Sequence, residues 1–384
     1  MSFNTDAAYI DLVSGDTYPL DQPIWRSPAG NPLMLTDLPG IRRDQIDAET
    51  RSIWRYRRAL PLEVDAPVTM GEGCTPLHRG EFDGVACNFK LEWFSPTGSF
   101  KDRGASVLVS ILRQQGITHI LEDSSGNGGA AIAGYGAAAG IKVKVLVPET
   151  TSPAKVAQAR AYGAEIELIP GPREATEAAA ITQAAEILYA SHNWHPFFLQ
   201  GTKTLGYEIW EDLNFTVPNN IVIPASAGSN LLGCYLAFKE LMASGETTRL
   251  PRLFVSQPAN CAPLHASFQA GSDDFVETEF GMTIAEGTAI KRPIRLKQML
   301  DAVRETIKWT HDRFEFGIGS THAPMAAADW LRLRDTRAHD DATRLMPVHE
   351  IVANFAWDSQ REPVFPYSTE TKPWNEDDFV QAIE

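Results

Sequence analysis

Cysteine is sparse in this chain. Four residues in 384, Cys74, Cys87, Cys234 and Cys261, stand far apart. They form no Cys-x-x-Cys pair, and no His-x-x-x-His stands nearby to complete a zinc site. Scattered thiols of this kind read as small buried hydrophobes, so neither a disulfide nor a metal is expected. Basic charge is also short: 34 Lys and Arg against 49 Asp and Glu give 34 − 49 = −15. That balance repels nucleic acid and anionic membranes and points to a small-molecule partner instead. The opening Met1-Ser2-Phe3-Asn4-Thr5-Asp6 has no basic region leading into an apolar one, and no later segment runs eighteen apolar residues without a charge. A soluble cytoplasmic protein is the expectation.

What is present is apolar sequence enough for one large core or two joined ones, at 43% hydrophobic residues. The stretch Asp47 to Arg58 reads as one charged helix whose arginines face solvent. From about residue 85 to 270, short β-branched runs alternate with helical stretches. The spacing predicts strands at Ile117 to Glu122, Val143 to Val147, Glu165 to Ile169, Ile221 to Ile223 and Leu253 to Val255. It predicts helices at Lys101 to Gln114, Asn127 to Ala139, Pro153 to Tyr162, Arg173 to Tyr189 and Asn230 to Ala243. Strands separated by helices of this length imply an α/β fold with parallel-rich sheets flanked by helices. Ligands in such folds bind at the carboxyl ends of the strands.

Two glycine-rich turns fall at such ends. Ser124-Ser125-Gly126-Asn127-Gly128-Gly129 follows one strand, and Pro224-Ala225-Ser226-Ala227-Gly228-Ser229-Asn230 follows another. Each opens a helix, so free backbone N–H groups and the positive helix end can hold an anion. Lys101 lies 23 residues before the first turn, inside Ser95-Pro96-Thr97-Gly98-Ser99-Phe100-Lys101-Asp102-Arg103-Gly104. Pro96, Gly98 and Gly104 let the backbone fold tightly around it, and Phe100 offers apolar wall that would lower its pKa toward the nucleophilic amine. A lysine backed by two anion-holding turns suggests a carbonyl cofactor bound as a Schiff base.

These residues, with Gly71-Glu72-Gly73-Cys74-Thr75-Pro76-Leu77, Gly201-Thr202-Lys203-Thr204 and the run from Pro224 to Gly233, resemble the threonine synthase family among the fold type II pyridoxal-phosphate enzymes. The likeness covers roughly residues 50 to 305. It implies a two-domain α/β architecture: residues 1–104 and 196–384 form a larger cofactor-binding domain, unassigned from about 306 onward, and 105–195 form a smaller mobile domain that closes over substrate. It implies pyridoxal 5'-phosphate as cofactor, Lys101 as its Schiff-base lysine and proton carrier, and Asn127 as the partner of the ring hydroxyl. Ser226, Ala227, Gly228, Ser229 and Asn230 would cradle the cofactor phosphate, while Ser124, Ser125 and Gly126 would hold the substrate carboxylate. By the same resemblance the protein is a homodimer.

The sequence departs from the family in two places. Where the family has an arginine for the substrate phosphate, shortly before the Gly-x-Lys-Thr motif, this chain has Phe198, and a phenyl ring cannot replace a bidentate donor. Lys203, His192, Asn193 or His195 are candidate substitutes, with Lys203 taken as the substrate-binding one. The family's Ser or Thr at the pyridine nitrogen has no clear counterpart; Ser320 is the nearest candidate, beside Thr321. Three readings stand. One is a threonine synthase-like lyase converting O-phosphohomoserine, or a similar substituted amino acid, to threonine and phosphate. Another is a serine or threonine ammonia-lyase or a cysteine synthase-like β-replacement enzyme, and the third is a pyridoxal-phosphate-binding protein without catalysis.

Overall fold

The computed structural model describes residues 7–82, 85–283, 285–311 and 351–354. An N-terminal three-stranded antiparallel sheet, order β2-β1-β3, is made by β1 (Ala8–Asp11), β2 (Thr17–Pro19) and β3 (Leu33–Leu35). The hairpin β4 (Leu77–Phe82) and β5 (Val85–Lys90) follows, then α1 (Lys101–Gln114). The alternation continues through β6 (His119–Glu122), α2 (Asn127–Ala139), β7 (Lys142–Pro148), α3 (Pro153–Ala161), β8 (Glu165–Ile169), α4 (Arg173–Gln183) and β9 (Leu188–Tyr189). Next come α5 (Pro196–Thr202), α6 (Thr204–Asp212), β10 (Asn220–Pro224), α7 (Ser229–Ala243), β11 (Arg252–Ser256), α8 (Pro263–Gln269), α9 (Leu296–His311) and β12 (Ile351–Asn354).

Two sheets carry the site. The four-stranded one, order β8-β7-β6-β9, is wholly parallel, and the five-stranded one, order β11-β10-β12-β5-β4, is parallel except at its β4–β5 edge. The expected α/β class with parallel-rich sheets is therefore what the chain forms. One apolar cluster gathers Val107, Leu108, Ile111, Ile132, Val145 and Val147 with Tyr9 and Phe198; a second surrounds Trp210, Ile223, Leu231, Phe238 and Val255. β12 joins β10 to β5 in parallel register, so residues beyond the end of the family resemblance supply a middle strand of the larger sheet. Among the described residues, no helix is long and apolar enough to cross a membrane.

Two expectations need correction. The helix read from Arg173 to Tyr189 stops at Gln183, and Leu188 and Tyr189 instead pair with Ile120 and Leu121 as a two-residue strand. The alanine-rich run keeps a helical pattern, while a strand this short leaves no period-2 signature. Tyr189 is held there by complete burial, edge-on to Trp25 at 5.0 Å between centroids. The charged helix read from Asp47 to Arg58 is instead a short 3-10 run, Ile53–Ala59, kinked at Tyr56. Burial of Ile53, Trp54 and Tyr56 fixes it, and Arg55 and Arg57 pair with Glu211 and Asp47.

Candidate active site

Lys101 is the first residue of α1, and the preceding loop is tied down to hold it there. Gly98 adopts φ +87°, which favours glycine, and its N–H donates to Ser95 O at 2.8 Å. Thr97 N donates to Asp102 Oδ2 at 2.7 Å, and the Thr97 hydroxyl donates to the other oxygen of the same carboxylate. Burial raises the Asp102 pKa to about 7 against the opposing Thr97 hydrogen bonds. Gly201 packs against the other side of this turn so closely that a methyl group there would lie 2.0 Å from Arg103 O.

The Lys101 side chain is 6% exposed. Its Nζ donates to Ser229 Oγ at 3.5 Å and lies 4.5 Å from the centre of the Phe100 ring and 5.8 Å from that of Phe198. Burial lowers its pKa to about 8, with Glu122 pulling the other way. At pH 7 about a tenth of such a group is already the free amine, against less than about a thousandth for an ordinary lysine.

The Ser229 contact joins Lys101 to the second glycine-rich turn. That turn leaves β10 with Ser226 at φ +43° and Gly228 at φ +92°, and Gly228 N donates to Ala225 O at 2.7 Å. A methyl group at Gly228 would lie 2.5 Å from Met299 Sδ, so both conformation and space demand glycine. The turn opens the fifteen-residue α7 at Ser229, the residue that meets the lysine, and the first N–H groups of α7 have no partner within the helix. Asn230, 2% exposed, keeps a side-chain oxygen that meets no donor of the protein. Free helix-start N–H groups, in a turn where Gly228 leaves no room for a side chain, suit a phosphorylated ligand. Ser226, Ala227, Gly228, Ser229 and Asn230 thus form one turn with Lys101 at its edge.

The first glycine-rich turn approaches through Glu122. Ser124, Ser125 and Gly126 lie between β6 and α2 and Asn127 opens α2, all four partly exposed, with Gly126 N donating to Ser124 Oγ at 3.3 Å. A methyl group at Gly129 would meet Ser124 O at 2.0 Å, so the turn folds back directly onto its helix. Glu122, fully buried at the end of β6, accepts from His192 N and Asp123 N and lies 3.1 Å from His192 Nδ1. Arg173 at the head of α4 pairs with Asp123 at 2.6 Å. The turn therefore hangs from a row of charged groups.

Phe198 is completely buried between Gly104 and His192. A methyl group at Gly104 would sit 2.5 Å from three ring atoms of Phe198, and the Phe198 and His192 rings meet edge-on at 5.8 Å. Lys203 is not at the site, contrary to expectation. It is 0% exposed, and its Nζ donates to Ala59 O at 2.8 Å and to Glu240 Oε1 at 2.9 Å, so its charge is neutralised inside the second core. The Gly-x-Lys-Thr spacing locates a helix junction but not where its lysine points. His195 is also buried, stacked on Phe197, while the Asn193 backbone carbonyl accepts from Arg295 and its buried side-chain oxygen meets no donor among the described residues. Ser320 lies outside the described residues. Glu122 escapes the sequence reading altogether, since a lone acidic residue closing a strand carries no signal until its partner 70 residues away is known.

A family model, pyridoxal-phosphate dependent enzyme, matches residues 68–313. Among curated proteins, the threonine synthase of Methanosarcina acetivorans is 35% identical over 273 residues, covering 69% of this chain and 67% of that protein. The threonine synthase of Methanocaldococcus jannaschii is 30% identical over 302 residues, covering 75% of each. Among solved structures, maize serine racemase aligns with a TM-score of 0.57 at 21% identity, covering 80% of this chain and 91% of that one. The processed form of threonine deaminase isoform 2 from Solanum lycopersicum aligns with a TM-score of 0.54 at 21% identity, covering 73% and 83%. Identities at that level speak for a shared fold alone.

Proposed function

Since the chain belongs to the pyridoxal-phosphate dependent enzymes and is a carbon–oxygen lyase of the threonine synthase type, we propose that it converts O-phosphohomoserine, or a similarly substituted amino acid, to threonine and phosphate. The carrying observation is the buried Lys101 amine, 3.5 Å from Ser229 at the head of the phosphate-holding turn. Pyridoxal phosphate, when bound, supplies a carbonyl that takes up amines and a conjugated ring that draws electrons from the α-carbon.

The residues divide the remaining work. Ser226 to Asn230 bind the cofactor phosphate through helix-start N–H groups and hydroxyls, and Asn127 meets its ring hydroxyl. Ser124, Ser125 and Gly126 hold the substrate carboxylate and so aim the Cα–H bond at Lys101. The Lys101 amine, partly free at neutral pH because of its burial, takes the Cα proton and can return it. Phe100 and Phe198 keep water from the amine. The segment 105–195, which contains the whole four-stranded sheet, is the part that closes over substrate. A homodimer in the cytoplasm belongs to the same reading and is checked by sedimentation and fractionation.

One observation favours a second substrate. Phe198 stands at the sequence position of the family's phosphate-binding arginine and packs on His192, and Lys203 is committed to Glu240. An uncharged hydroxyl, as in serine or threonine, suits that wall better than a dianion. Purified, cofactor-loaded protein is tested with O-phospho-L-homoserine and with L-serine and L-threonine, using Lys101→Ala as control. Lys101-dependent phosphate release with threonine as co-product establishes the first reading. Release of 2-oxo acid from serine or threonine, without phosphate release, replaces it with the second.

A further inference from the structure

We propose that His192, oriented by Glu122, is the acid–base residue for the oxygen on the substrate's β-carbon, handing a proton to a departing hydroxyl and taking one from water that adds there. The proposal rests on the lyase reading but not on which substrate is taken, because a hydroxyl leaves the β-carbon in deamination and forms there in threonine synthesis.

The geometry has three parts. The His192 ring lies against the start of α2: a methyl group at Gly128, the residue after Asn127, would be 2.6 Å from the ring's Nδ1 and Cε1. The same ring meets Phe198, which also walls Lys101. Its Nδ1 is 3.1 Å from the fully buried Glu122, whose other oxygen accepts from His192 N. A base held on one nitrogen by a buried carboxylate, next to a nucleophilic amine, is the arrangement in which a proton is passed through the opposite nitrogen, Nε2.

Burial raises the Glu122 carboxyl, against the N–H donors of His192 and Asp123, and burial together with Lys101 lowers the imidazole well below its usual value. Asp123 and Arg173 also face the ring with opposite effects and pair with each other. In the acting form the pair is neutral, with one proton shared between Glu122 and Nδ1 across their 3.1 Å contact and a hydrogen on Nε2. The step then balances. Lys101 takes the Cα proton, the Cα–H electrons become the Cα=Cβ bond, and the Cβ–O pair leaves with oxygen. Oxygen takes the Nε2 proton while the Glu122 proton moves to Nδ1. The products are water, a neutral Nδ1–H imidazole and an ionised Glu122, and water addition runs the same sequence backward.

The test uses holoenzyme, His192→Asn and Glu122→Gln. With L-serine the His192→Asn rate falls about 100-fold, the usual scale for general acid–base help, and the Glu122→Gln rate falls about tenfold. With β-chloro-L-alanine, whose chloride leaves without a proton, both stay within about threefold. Equal losses on the two substrates, or none on serine, overturn the proposal. If the wild type acts on O-phosphohomoserine instead, His192→Asn releases phosphate normally but yields 2-oxobutyrate in place of threonine, and an unchanged threonine fraction overturns it. If no substrate is turned over, the lyase reading fails separately, and nitrogen NMR judges the dyad. An Nε2–H neutral His192 at pH 7, identified by its loss in His192→Asn, supports it; an Nδ1–H or doubly protonated ring overturns it.

Discussion

Arg103, two residues after Lys101, offers the sharpest test of what holds α1 and its lysine in place. Its guanidinium is 0% exposed and forks two carboxylates: Nε and one terminal nitrogen donate to Glu92 at 2.7 and 2.8 Å, and both terminal nitrogens donate to Glu208 at 2.9 Å. Glu208 also accepts from Cys74 N and Thr75 N and pairs with Lys90 at 2.6 Å. Burial pushes the Glu208 carboxyl up, but Arg103 and Lys90 outweigh it and hold it well below the carboxylate range. Arg103→Lys keeps the charge and loses the fork. An ammonium is a compact charge with three rotatable donors and no planar fork, so at least one of the two bidentate pairs is broken. Two charge-assisted hydrogen bonds at about 1.5–3 kcal/mol each give about 3–6 kcal/mol, in line with the roughly 3–5 kcal/mol typical of breaking a buried pair. Urea unfolding of the apoprotein should show that loss. The variant should also lose stability sooner on acidification. A lowered carboxylate contributes fully above its unfolded pKa, and that contribution vanishes as pH falls through the folded value, which lies higher without the fork. A loss under about 1 kcal/mol with an unchanged acid limb would refute the argument that the fork, and not charge alone, anchors α1.

Other outcomes follow from the same structure. Cofactor uptake by the apoprotein should accelerate as pH rises through about 8, where the Lys101 amine becomes free. Because the folded pKa lies below the unfolded one, the Lys101 contribution to stability rises from about pH 8 toward 10.5. Lys101→Met should abolish that rise, and an identical pH profile in the variant would contradict the burial assigned to the amine. Gly104→Ala gains up to about 1 kcal/mol of helix propensity but drives a methyl group to 2.5 Å from the Phe198 ring. The net loss should be about 1–2 kcal/mol by denaturation, and adding Phe198→Leu should recover part of it; strict additivity of the two changes would deny the contact. Lys203→Met leaves Glu240 buried with the Tyr207 hydroxyl as its remaining side-chain partner among the described residues. It should cost about 3–5 kcal/mol while KM changes less than about twofold, whereas a large KM rise at normal stability would return Lys203 to the substrate site.

The readable parts of the sequence are those whose meaning is local. The bounds Asn127–Ala139 and Glu165–Ile169 coincide with the expectation because periodicity and a flanking glycine or strand end lie within one window. The turn from Ser226 to Asn230 is legible for a related reason: positive φ at Gly228 and the opening of α7 are both written in adjacent residues. The short strand β9 is hidden because two residues carry no period, and β12 because its partners lie about 260 and about 130 residues earlier in the chain, at β5 and β10.

The side-chain assignments fail or succeed on the same ground. Lys203 stands in a motif, yet its direction depends on Glu240, 37 residues later on α7, and a helix presents a new face at every residue. In the sequence Phe198 stands out only as a missing arginine; its contact with Gly104 explains why the site is closed there, since a residue with a Cβ at 104 and a phenyl ring at 198 cannot coexist without strain. The resulting wall is apolar on the Phe198 side and carries one imidazole, His192, that can exchange a proton. A leaving group held against it must depart either already charged or by protonation from that ring. On the proposed reading, the nature of the departing group is set less by the two glycine-rich turns than by two rings, six residues apart in the chain, that meet at 5.8 Å.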